Sequence, residues 1–220
     1  MPADRTSTSS HPRSDKPDAT TIHPSQNPRH SPPAPSSTTE LAGLKIRLHS
    51  ALRQYPDFPS PGILFEDILP IFSDARLHQD LVRALEIQVL DCYGQDNKPD
   101  VLVGLEARGF LFGPSLALRL GAGFVPVRKQ GKLPGSTETA KFVKEYGEDH
   151  FQIQRDAIKP GQKVIVVDDI IATGGSAAAA GSLVTKLGGK LHGYLFLLEL
   201  DFLKGREKLD APVYTLLSSQ

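Results

Sequence analysis

An α/β fold, with a central and mainly parallel sheet flanked by helices, is predicted by three observations on this 220-residue chain. Helix-period and strand-like segments alternate from about residue 74 onward, the mark of successive βαβ units. The run Val164-Ile165-Val166-Val167 is β-branched and uncharged, as a strand covered on both faces should be. That run leads through Asp168 and Asp169 into a glycine turn and an alanine-rich helix. Such an arrangement puts ligand chemistry at the carboxyl end of the sheet.

Taken in order, residues 1–38 are rich in Ser, Thr and Pro with almost nothing apolar, and predict a disordered tail. A single domain is expected over 39–220. Leu41, Leu44, Leu48 and Leu52 recur at helical spacing, so a helix should run from about 39 to 54, capped by Thr38 or Thr39. Pro56, Pro59 and Pro61 then punctuate a loop that holds 63–71 extended and presents Leu64 and Phe65 on an apolar ledge. Helices are expected at 74–90, 112–120 and 175–187, and strands at 101–104, 123–128, 163–167, 192–200 and 213–217. Between 130 and 156 the chain turns polar with three glycines and a short hairpin near 140–153, which reads as a lid.

Two acids side by side act together only where the chain leaves the sheet, so Asp168 and Asp169 are read as ending their strand. Gly174 and Gly175 allow close backbone approach, and Ser176 opens the next helix. The free N–H groups of a first helical turn attract an anion, with a dipole contribution of roughly 0.3–1 kcal/mol. The acid pair would repel a phosphate unless it had other partners. Vicinal ribose hydroxyls and Mg2+ are such partners, so the ligand outlined is a 5-phosphorylated ribose. Neither the G-x-x-x-x-G-K-[ST] loop nor a G-x-G-x-x-G turn after a strand is present.

Composition narrows the class. With 25 basic and 25 acidic side chains there is no basic surplus for nucleic acid. Cys92 is the sole cysteine, which excludes an intramolecular disulfide and suits a cytoplasmic address. No apolar run is long enough to span a bilayer.

The segment VIVVDDIIATGGS resembles the phosphoribosyl-diphosphate signature of the type I phosphoribosyltransferases. PDFPSPGILFEDILPIF, LEARGFLFGPSLALRLG, VRKQGKLPG and KEYG are similar to the adenine-using members, over about residues 44–217. The resemblance implies that family's fold, with a small hood and a mobile lid loop. It also implies an Mg2+-dependent purine salvage reaction, in which adenine and 5-phospho-α-D-ribose 1-diphosphate (PRPP) give AMP and diphosphate, usually in a homodimer. Ala172, Thr173, Gly174, Gly175 and Ser176 would hold the 5-phosphate, and Asp168 and Asp169 the ribose hydroxyls. Arg108 would contact diphosphate, its fork suiting phosphate oxygens. Arg128, Lys129 and Lys132 would lie near the same group. Leu64 and Ile171 would flank the base, and Glu145 would exchange a proton with it. Mg2+ would be held through PRPP and water near the acid pair, without direct protein ligation.

One residue departs from that pattern: Glu66 stands where many members carry arginine, and it is expected to be solvated. Asp67 matches the family pattern, and an acid in a tight turn equally suits the capping of backbone N–H groups. Two rival readings stay open here. A 6-oxopurine enzyme would want a cationic donor near O6, and no lysine occurs in 169–176 or 62–71. A regulatory protein that binds PRPP without turnover is the other rival.

Overall fold

The structure, a computed structural model, describes residues 36–58, 61–143 and 148–217. Most of the tail expected over 1–38, and Glu145 with its neighbours in the lid, fall outside those residues. No described helix is long and apolar enough to cross a membrane.

Helix α1 spans Ser37–Ser50, with the hydroxyl of Ser36 accepting from the Thr39 amide at its start. It ends four residues earlier than its leucine spacing suggests. The following residues are instead drawn into a two-stranded antiparallel sheet, β1 (Arg53–Pro56) against β2 (Leu64–Asp67). Two of its four cross-strand pairs are polar: Arg53 donates to Asp67 at 3.1 Å and Gln54 to Glu66 at 3.3 Å. Glu66 is therefore not solvated. It is only 5% exposed, with Oε2 lacking a hydrogen-bond partner among the described residues. Asp67 does cap, accepting from the Leu69 amide at 2.9 Å at the start of the short α2 (Leu69–Ser73).

Asp74 then accepts from the amides of Arg76 and Leu77, and opens α3 (Ala75–Tyr93). Arg83 on α3 joins Glu40 of α1 at 2.8 Å and Glu86 at 3.0 Å. Glu86 in turn takes Arg119 of α4 (Gly109–Leu120), so three helices are tied at one carboxylate-rich seam.

The main sheet has seven strands among the described residues, in the order β5-β6-β4-β3-β7-β8-β9. β3 (Val101–Leu105), β4 (Gly123–Lys129), β7 (Lys163–Ile171), β8 (Lys190–Glu199) and β9 (Val213–Thr215) run parallel. β5 (Thr137–Val143) and β6 (Glu148–Gln154) add an antiparallel hairpin at one edge, through Arg128 and Lys129 of β4. The segment read as a lid is thus an extension of the sheet, and its strands start earlier than expected. Alternate residues Ala140, Phe142, Phe151 and Ile153 are buried, with the Phe142 and Phe151 rings stacked at 4.5 Å.

The sheet divides two cores. Ile165, Val167, Leu102 and Leu195 pack with α1, α3 and α4 on one face. Val164, Val166, Val101, Val103 and Tyr194 pack with α5 (Gly175–Lys186) on the other. Burial on both faces is why these strands carry unbroken apolar runs. β3 and β7 lie side by side at the centre, so the chain leaves both at the same end of the molecule.

Candidate active site

The two strand exits build the site. After β3, Glu106, Ala107 and Arg108 lead into α4, whose first residue Gly109 lies against β7. A Cβ there would stand 2.7 Å from the Val167 carbonyl oxygen, so only glycine lets the helix start this close. This docking sets Arg108 beside β7, where its Nη1 lies 2.9 Å from Asp169 Oδ2. The contact is an ion pair off the hydrogen-bond axis, since Oδ2 has no aligned donor among the described residues.

The acid pair does not end its strand as the sequence suggested. β7 continues to Ile171, with Asp168 in register with Phe196, and Ile170 and Ile171 with Leu198 and Glu199. Ile170 joins the core that holds Val167 and Ile165, whereas Ile171 joins the core that holds Val164 and Val166, so the strict alternation of the strand is broken next to Asp169. Both carboxylates thereby line one cavity although the chain is still extended. Burial, reinforced by the neighbouring charge of Asp169, holds the Asp168 carboxyl well above the ordinary carboxylate range. Burial also raises Asp169, and Arg108 opposes the shift.

Beyond Ile171 the chain bends through Ala172 and Thr173 to Gly174, whose φ of +77° is left-handed and favours glycine. Gly174 forms the N-cap of α5 without a side-chain cap. The first-turn amides of α5 therefore face outward without intrahelical partners, a ready seat for an anion. Arg108, Asp168, Asp169, Ile171 and every residue from Ala172 to Ser176 line one cavity of about 260 Å3. Ile171 itself is almost fully buried in the core. A more voluminous groove of about 760 Å3 lies between α3 and α4, around His78, Arg83, Leu118 and Arg119. It contains none of these residues.

Among the other expected residues that the structure describes, Leu64, Arg128, Lys129 and Lys132 do not line that cavity. Leu64 is 43% exposed on β2. Arg128 donates to Glu106 at 2.9 Å and to the Lys132 carbonyl at 3.1 Å, while Lys129 and Lys132 are exposed. Glu106, Phe151 and Phe196 are cavity residues that the sequence reading missed. Glu106 accepts from Arg128 and from the Lys129 amide, and the Arg128 hydrogen bond holds it below the usual carboxylate range. Its position one residue past a strand, two before Arg108, was the available signal.

No group of three or more His, Cys, Asp or Glu side chains among the described residues could cage a metal ion. The paired carboxylates, with Asp169 Oδ2 lacking an aligned donor, offer a donor set suited to an ion shared with ligand oxygens and water.

A parallel sheet that brings an acid pair, an arginine and an uncapped glycine-opened helix together at its carboxyl end defines a phosphoribosyltransferase. Residues 73–220 match the family described as phosphoribosyl transferase domain. An adenine phosphoribosyltransferase of Yarrowia lipolytica is 66% identical over 180 residues, covering 82% of this chain and 98% of the relative. The crystal structure of the Saccharomyces cerevisiae adenine phosphoribosyltransferase, complexed with an imino-altritol bisphosphate and adenine, is 60% identical at a TM-score of 0.78. It covers 80% of this chain and 99% of its own. The Trypanosoma brucei enzyme, in complex with AMP, pyrophosphate and ribose-5-phosphate, is 25% identical at a TM-score of 0.71, covering 80% of this chain and 79% of its own. The chain belongs to the adenine phosphoribosyltransferase family.

Proposed function

We propose that the protein transfers the 5-phosphoribosyl group of PRPP to adenine, giving AMP and diphosphate. The observation that carries the reading is the convergence of Arg108, Asp168, Asp169 and the uncapped start of α5 on one cavity. Kinship to adenine phosphoribosyltransferases crystallised with adenine, AMP and pyrophosphate supports the choice of base and products.

In this reading the amides from Ala172 to Ser176 take the 5-phosphate, and Asp168 and Asp169 accept from the ribose hydroxyls, which orients C1′. The C1′–O bond breaks with its electron pair going to diphosphate, while adenine N9 forms the new bond to C1′. Arg108 turns from Asp169 toward the departing diphosphate, where its charge is worth most as negative charge builds. Arg128, Lys129 and Lys132 add to the positive field around it. Asp168 and Asp169 would hold Mg2+ through PRPP oxygens and water, and the ion would supply positive charge to offset that of the leaving group. The ring proton released as N9 bonds goes to Glu145, a general-base role worth roughly 10²–10⁴-fold. Leu64 and Ile171 supply apolar contact to the base. The active form is a homodimer of the 39–220 domain in the cytoplasm, with residues 1–38 an appendage.

Purified protein mixed with PRPP and Mg2+ is offered adenine, hypoxanthine or guanine, and nucleotide and diphosphate are measured. AMP from adenine alone is the expected result. Another nucleotide would overturn the base assignment, and PRPP binding without product would overturn the enzymatic role.

A further inference from the structure

The amides of Ala172, Thr173 and Gly174 make no hydrogen bond among the described residues. A loop whose donors stay free for an anion cannot hold its own shape, so its geometry has to come from outside. The outside support is a segment more than thirty residues later in the chain. A Cβ on Gly205 would overlap the Ala172 carbonyl oxygen and stand 2.8 Å from the Gly174 amide nitrogen. Conversely, a Cβ on Gly174 would overlap the Gly205 carbonyl oxygen. The two backbones are in mutual contact at a distance that admits no side chain on either.

Gly205 is itself fixed by its neighbour. Arg206 Nε donates to Glu199 Oε1 at 3.0 Å and to Oε2 at 3.2 Å, Nη2 also bonds Oε2, and Nη1 donates to the Val213 carbonyl at 3.0 Å. Glu199 is buried at the end of β8, in register with Ile171 at the end of β7. The Leu200 amide also donates to the Ile171 carbonyl at 2.9 Å. The guanidinium thus clamps residue 205 to the same strand end from which the loop departs.

We propose that Gly205 and Arg206 are positioning residues for the 5-phosphate loop. Gly205 sets the path of 172–174 by backbone contact, and Arg206 holds Gly205 in place through Glu199 and Val213. The proposal rests on the reading that Ala172 to Ser176 bind the 5-phosphate.

Gly205→Ala forces the loop outward, whereas Arg206→Met removes the clamp without adding bulk at the contact. The full-length wild type and both variants are compared by calorimetric titration with ribose 5-phosphate and, separately, with diphosphate. KM for PRPP, kcat and thermal melts are measured in parallel. Displacing a ligand-holding loop by about an ångström costs on the order of 10- to 100-fold, and that loss is expected for ribose 5-phosphate and for KM of PRPP in Gly205→Ala. A loss of about three- to tenfold is expected in Arg206→Met, which loses a buried charge partner but keeps the glycine. Diphosphate affinity, which the loop does not govern, should stay within about twofold in both variants.

Equal losses for both ligands, or unchanged ribose 5-phosphate affinity in a folded variant, would overturn the proposal. Should Gly205→Ala not fold, Arg206→Met decides on the same criteria. A wild type that neither binds ribose 5-phosphate nor forms AMP overturns the parent reading together with this one. A wild type that does both while folded variants match it overturns this one alone.

Discussion

Asp168 and Asp169 crowd two carboxylates into one cavity with a single arginine beside them, and the arrangement is costly to the free protein. Burial raises both acids, Asp168 more strongly. An acid raised in the folded state binds its proton more tightly there than when unfolded. Stability therefore falls as pH rises from the unfolded carboxylate range through the folded pKa, and the cost is complete only above the folded pKa. Asp168→Asn should accordingly raise the melting temperature at pH 7 by a few degrees (~2–4 °C), a stabilisation bought from function. The same substitution should lower kcat/KM for PRPP, since one anchor of the ribose is lost. In the wild type the acidic limb of kcat/KM against pH should lie above the ordinary carboxylate range, and in Asp168→Asn it should move down, because the acid that remains, Asp169, is the less strongly raised of the two and Arg108 opposes its shift. A limb unmoved by that substitution would assign the titration elsewhere. The double variant Asp168→Asn, Asp169→Asn should lose most activity, on the order of 10²-fold or more, while retaining a cooperative melt. Normal turnover in it removes the pair from the mechanism.

At the scale of elements, legibility followed periodicity. The unbroken strand at 164–167 and the alanine-rich helix after it were readable because burial on two faces leaves a strong local pattern. The hairpin β5–β6 was less so: its buried Ala140, Phe142, Phe151 and Ile153 alternate with polar Thr139, Lys141, His150 and Gln152. Over the whole window, that alternation averages to a polar composition resembling a loop. The continuation of β7 past the acids was misread for another reason. Two adjacent acids argue for a turn unless the alternation itself breaks, and only the division of Ile170 and Ile171 between the two cores reveals the break. Helix α4 carries the next prediction at this scale. Its first residue meets the Val167 carbonyl so closely that Gly109→Ala must push the helix start away from β7, carrying Arg108 off Asp169. Overpacking of this kind costs about 1–3 kcal/mol. Denaturant unfolding should show that loss, together with a weaker diphosphate affinity. A variant with wild-type stability and affinity would mean that the α4 start has room to slide.

Over the whole molecule, the class of fold could be read from alternation alone, but the assembly of the site could not. Glu106 reaches Arg128, and Gly205 reaches Gly174, across intervals with no common local pattern. Their partnership exists only once five parallel strands are side by side. The seam of Glu40, Arg83, Glu86 and Arg119 is likewise invisible until α1, α3 and α4 stack. The domain is expected to keep its fold and activity without the segment before α1. The Yarrowia lipolytica relative is covered nearly end to end while about forty residues of this chain stay unmatched. Every residue of the cavity, and both cores, lie beyond residue 36. A truncated protein comprising residues 36–220 keeps Ser36 as the cap of α1, an interaction worth about 1 kcal/mol. It should melt within about 2 °C of the full chain and retain kcat/KM for PRPP and adenine within about twofold. Removing Ser36 as well should cost the cap and lower the melting temperature by a further few degrees (~2–4 °C), still without loss of turnover at 25 °C. A tenfold fall in kcat/KM on deleting 1–35 alone would show instead that the segment takes part in catalysis.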